Sequence, residues 1–90
     1  MAQRSVTIAS RVGLHARPAA IFVQTVSGAG IPVQIGRPGD EPVDAASILG
    51  VMGLGAKHGE RVVLAAADGD AAEQILDELV ALLSRDLDAE

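Results

Sequence analysis

The stretch Arg61-Val62-Val63-Leu64-Ala65-Ala66-Ala67-Asp68-Gly69-Asp70-Ala71-Ala72-Glu73-Gln74-Ile75-Leu76-Asp77-Glu78-Leu79-Val80-Ala81-Leu82-Leu83 holds two different patterns in succession. Arg61 to Ala67 is apolar and β-branched, as a strand should be. From Asp70 the apolar residues Ala72, Ile75, Leu76, Leu79, Leu82 and Leu83 recur at the spacing of one helix face, a stripe suited to the core rather than to a partner helix. Asp70 and Glu73 have capping-box spacing, with Asp in place of Ser or Thr, so the helix is expected to be capped there.

The same alternation of patterns continues toward the N-terminus. Ser5-Val6-Thr7-Ile8 alternates polar and apolar side chains, and Arg11-Val12-Gly13 breaks the alternation. Ala19, Phe22, Val23 and Val26 follow helical spacing, which predicts a first helix starting near Ala16 and ending just before Gly28. Pro18 fits its first turn, where the missing N–H would have had no intrahelical partner. Val33-Gln34-Ile35, the turn Gly36-Arg37-Pro38-Gly39-Asp40 and the extended Pro42-Val43 read as a hairpin with a weak edge strand. Ser47 can cap a short helix through Ile48, Leu49, Val51 and Met52, ended by Gly53-Leu54-Gly55. The order is β-α-β-β-α-β-α, and its short connections call for a four-stranded antiparallel sheet with three helices on one face. The predicted class is α+β, an open-faced sandwich.

Ninety residues suffice for one domain spanning 1–90, and 49% apolar residues supply a core despite the single aromatic Phe22. With no cysteine, disulfides, thiol nucleophiles and thiolate zinc sites are excluded, and two histidines are a poor basis for a dedicated metal site. No cofactor or metal is implied. The N-terminal residues lack an apolar signal core, and no apolar run approaches the roughly 20 residues of a membrane span, so a cytoplasmic protein without membrane insertion is expected. The net charge of -5 argues against nucleic-acid binding. Acidic residues crowd the last third, whereas Arg4, Arg11 and Arg17 fall in the first fifth, which would leave one end of the fold locally positive.

His15 stands immediately before the predicted first helix, in Gly13-Leu14-His15-Ala16-Arg17-Pro18. The first backbone N–H groups of a helix, here beginning with that of Ala16, lack carbonyl partners and, with the helix dipole, favour an anion. The same positive potential disfavours protonated imidazole, leaving more His15 neutral and able to attack phosphorus. Arg17 adds a planar fork of donors for phosphoryl oxygens. Phosphoryl transfer rests chiefly on such positioning and charge stabilisation, so neither a metal nor a general base is called for. A phosphoryl group on an imidazole nitrogen passes readily to a second acceptor, which suits a relay better than a hydrolase.

Gly13-Leu14-His15-Ala16-Arg17-Pro18-Ala19-Ala20 resembles the active-site signature of the HPr family, the histidine-containing phosphocarriers of the bacterial phosphoenolpyruvate:sugar phosphotransferase system. The resemblance extends over essentially the whole chain, including its length, its element order and Ser47-Ile48-Leu49-Gly50-Val51-Met52-Gly53-Leu54-Gly55. It implies that Nδ1 of His15 accepts a phosphoryl group from phosphorylated enzyme I and passes it to sugar-specific IIA proteins or domains, with Arg17 as phosphate partner. The chain would then work as a monomer. Two other readings stand beside this one: a paralogous regulatory phosphocarrier acting mainly through protein binding, and a plain interaction domain, against which the His15 and Arg17 pair argues.

The resemblance also marks Ser47 as a candidate regulatory phosphorylation site, beside its simpler role as a helix N-cap. Ala46 stands where the family usually has lysine, and Asp44 adds a nearby negative charge. Gln24 and Ser27 occupy positions often basic in the family, so docking here would lean on apolar contact. Ile21 falls off the first helix's stripe and is expected to be exposed. By resemblance Leu49 and Met52 face outward and, with Ile21 and Gln24, form a partner-docking patch, although Met52 could instead fill the core. His58, in Lys57-His58-Gly59, reads as an ordinary solvated turn histidine.

Overall fold

In the computed structural model, which describes residues 2–9, 13 and 16–85, the elements follow the expected order: β1 (Ala2–Thr7), α1 (Ala16–Ala29), β2 (Val33–Gly36), β3 (Val43–Asp44), α2 (Ile48–Gly53), β4 (Arg61–Ala66) and α3 (Asp70–Leu83). The strands form one antiparallel sheet in the order β1-β4-β2-β3. Val6 pairs with Val62, Arg4 and Ile35 both with Leu64, and Ala2 and Val33 both with Ala66. Because side chains alternate across a strand, this register puts Ala2, Val6, Val33, Ile35, Val62, Leu64 and Ala66 on one face. All of them are buried.

The helices supply the other half of the core. Ala19, Phe22 and Val26 come from α1, Val51 from α2, and the whole expected stripe of α3 is buried. Two expectations for α1 are corrected. Ile21 is half-buried and packed against the core rather than exposed. The reason is that α1 touches both α2 and α3, so its buried arc is wider than a single stripe. The helix also runs past Gly28 to Ala29, and Gly30, with φ +73°, follows its end. Gly28 keeps an ordinary backbone, and a Cβ there would meet nothing within 4 Å. Gly28→Ala is therefore expected to stabilise the fold by about 0.5–1 kcal/mol, read as a higher urea midpoint, while Gly30→Ala lowers it.

The capping box at Asp70 does not form. Gly69 occupies the N-cap position without a side-chain hydrogen bond, and Asp70 is the first helical residue. The Glu73 carboxylate instead accepts from Arg4 Nη2 at 3.0 and 2.9 Å, and Arg4 Nε donates to Asp77 at 3.2 Å. Arg4 lies on the helix-covered side of an edge strand, so its long side chain can pass along the sheet and leave its charge at the rim. Its positive charge is thus taken up by α3 and does not contribute to a locally positive end. Strand β1 also begins earlier than Ser5.

Candidate functional site

Three described features frame the segment that carries His15, which itself lies outside the described residues, as do Arg11 and Leu14. The first is the start of α1. The helix begins at Ala16, as expected, and has no acidic residue in its first turn to offset the free N–H groups. Arg17 is exposed on that turn, while Pro18 and Ala19 are buried and seat the turn on the core. A helix end anchored this way can hold its N–H groups in fixed directions, which an anion site requires.

The second feature is Gly13. Its φ of +79° lies in the region that favours glycine, and a Cβ at this position would come 2.6 Å from the Ala56 carbonyl oxygen and 3.0 Å from Lys57 Cα. The backbone of Gly13 therefore lies directly on the chain that leaves α2. Ile8, on the other side of the undescribed residues, is tied to the same region: its N–H donates to Glu60 O at 2.9 Å and its carbonyl accepts from Gly59 N at 2.9 Å.

The third feature is α2. Ser47 caps it: its hydroxyl accepts from Gly50 N at 3.1 Å, as its position predicts. Asp44 Oδ1 accepts from Ala46 N at 2.9 Å, so this carboxylate is bound within the turn leading to the cap. Of the four large apolar residues on the helix, only Val51 is fully buried; Leu49 is 81% exposed, Met52 40% and Ile48 38%. Met52 is therefore not core filler. The outward placement of Leu49 and Met52 agrees with expectation, and α1 packs beside this helix with Gln24 exposed. Of the four patch residues, Ile21 is the one that is half-buried. His58 is exposed in the turn before β4.

Arg37, which the sequence places in a plain turn, has distant partners beside this region. Its Nε donates to Leu54 O at 3.0 Å and its Nη2 to Gly55 O at 2.8 Å, while Nη1 reaches Glu60 Oε2 at 2.8 Å. No local pattern announces these contacts, since the partners lie 17 to 23 residues away.

Comparison with known proteins agrees with the geometry. Residues 2–85 match the family model described as the PTS HPr component phosphorylation site. The chain is 47% identical over 88 residues to the phosphocarrier protein HPr of Streptomyces coelicolor, covering 98% of this chain and 94% of that one. Among solved structures, HPr-C-His from Thermoanaerobacter tengcongensis superposes with a TM-score of 0.87 at 38% identity, covering 100% of this chain and 99% of the other. An HPr dimer from the same organism gives a TM-score of 0.66 at 40% identity, covering 91% and 92%.

Proposed function

This chain belongs to the HPr family of phosphocarrier proteins, and we propose that it accepts a phosphoryl group from phosphorylated enzyme I on Nδ1 of His15 and passes it to sugar-specific IIA proteins or domains. In the first transfer the Nδ1 lone pair forms a P–N bond. The bond between phosphorus and its donor atom on enzyme I breaks, and its electron pair leaves with the donor. The second transfer repeats this with His15 as leaving group. The observation that carries the reading is the start of α1, whose first turn carries no acidic residue and bears the exposed Arg17.

Incubation with enzyme I and phosphoenolpyruvate tests the proposal. The expected result is a mass gain of one phosphoryl group that survives base and is lost in acid, as a phosphoramidate is. An active enzyme I that leaves the mass unchanged overturns it. Arg17→Ala is expected to slow transfer by about 10- to 100-fold, since a charge-assisted donor to the transferred group is removed. A native rate would remove Arg17 from the site.

Partner docking is assigned to the exposed Leu49 and Met52 with Gln24 and the rim of Ile21. Leu49→Asp is expected to raise the KM for this chain with enzyme I by about tenfold, the scale of losing one well-packed apolar anchor, while leaving the fold intact. An unchanged KM would place docking elsewhere. The proposed form is a cytoplasmic monomer, and light scattering checks this against the pairing seen in the solved HPr dimer. Ser47 is assigned its capping role, with regulatory phosphorylation as a second, separable one.

A further inference from the structure

Arg37 and Glu60 form a clamp that no motif in the chain announces. Arg37 Nη1 donates to Glu60 Oε2 at 2.8 Å and Nη2 to Oε1 at 3.2 Å, a fork-to-fork pair with fixed orientation. The same guanidinium holds the carbonyls of Leu54 and Gly55, and Glu60 Oε1 also accepts from Lys57 N at 2.7 Å. Glu60 N returns to Lys57 O at 3.0 Å. Arg37, on a hairpin that belongs to another part of the sheet, therefore grips the segment between α2 and β4 at Leu54, Gly55 and Glu60, and Glu60 in turn holds Lys57 within the segment.

That segment also meets the described residues on either side of positions 10–12. Gly13 lies against Ala56 O and Lys57 Cα, and Ile8 bonds to Gly59 and Glu60. Gly13 and Ile8 thus both meet the segment in which the clamp holds Lys57 and Glu60, while Ala9 N–H is held separately by Leu83 O at 3.1 Å. A half-buried pair still open to solvent on both sides contributes little to stability, so the value of this one lies in geometry. Hydrogen bonds, first from Arg37 and then from Lys57 N–H, hold the Glu60 carboxyl below the usual carboxylate range, which keeps it an acceptor at neutral pH.

We propose that Arg37 and Glu60 are positioning residues for phosphoryl transfer, acting on the His15 segment through the Leu54–Glu60 chain and its packing against Gly13. The proposal rests on the assignment of His15 above. Lysine cannot reproduce the planar fork, so Arg37→Lys keeps the charge and breaks the geometry, and Glu60→Gln removes the paired carboxylate. Arg4→Lys is the control. Arg4 is a second ion-paired arginine with the same 34% side-chain exposure, but its partners Glu73 and Asp77 lie on α3, outside the Leu54–Glu60 chain.

With phosphorylated enzyme I as donor, Arg37→Lys and Glu60→Gln are each expected to lower kcat by about tenfold, within the scale of a small misplacement of reacting groups, with KM changed less than about twofold. Arg4→Lys is expected to keep the native kcat. A native kcat in both clamp variants, or an equal loss in Arg4→Lys, overturns the proposal. The Gly13 amide resonance gives a readout independent of the reaction: it should shift in the clamp variants and stay in place in Arg4→Lys, and an unmoved resonance in the clamp variants also overturns the proposal. If the native chain takes up no phosphoryl group, the assignment of His15 fails by itself, and the resonance still decides whether the clamp positions Gly13.

Discussion

His15→Ala is expected to take up no acid-labile phosphoryl group from enzyme I and phosphoenolpyruvate, a complete loss of signal. The chain has two histidines and no cysteine, so His58 is the one other imidazole that could form a P–N bond. His58 lies in the Lys57-His58-Gly59 turn, and no helix begins there to supply free N–H groups; the element that follows is strand β4. His58→Ala should therefore be phosphorylated at the native rate. The chemistry of the adduct separates the remaining acceptors, because a serine phosphate is stable in acid and a phosphoramidate is not. If His15→Ala still gains an acid-labile group, the acceptor has been misassigned. If it gains an acid-stable one, a hydroxyl such as that of Ser47 is reacting by another route.

The same contrast shows which parts of the site are local. A helix start, its free N–H groups and an arginine in its first turn are properties of consecutive residues, and α1 begins at Ala16 where Pro18 and the apolar spacing place it. Ser47 is legible for the same reason, its hydroxyl meeting a backbone N–H three residues on. The α3 stripe is legible because the helical period repeats across the whole element, so every member is buried.

What was not legible depends on pairs far apart in the chain. Asp70 and Glu73 have the spacing of a capping box, yet Arg4, 69 residues away from Glu73, takes that carboxylate. A charged pair that the fold brings together outcompeted a weak local bond. Ile21 was misplaced because a periodic stripe describes burial against one surface, whereas α1 lies between two other helices. Gly28 and Gly30 are alike in sequence, and only the backbone conformation separates a helical glycine from the one that follows the end. Arg37 combines both difficulties: a turn composition that explains it fully at short range, and partners that appear only once α2 and β4 are packed.

Gly13→Ala is expected to be the most damaging single substitution outside the core, because it strikes a local constraint and a distant one together. The φ of +79° costs an L-residue about 1–2 kcal/mol, and the added Cβ would lie 2.6 Å from the Ala56 carbonyl oxygen, a distance that forces backbone to move. Relieving such overpacking typically costs a further 1–3 kcal/mol or so, for a total of roughly 2–5 kcal/mol. For a chain of this size that lowers Tm by about 10 °C or more. The chain has one escape, which is to lift the Gly13 segment off Ala56 and Lys57. Stability is then partly recovered, but the segment that carries His15 loses its support at Gly13, and the rate of phosphoryl transfer falls instead. Thermal unfolding and transfer kinetics on the same preparation separate the two outcomes: loss must appear in at least one of them. A variant with native Tm and native rate would mean that Gly13 neither adopts this conformation nor rests on the chain leaving α2, and the account of how the site is held would fall with it.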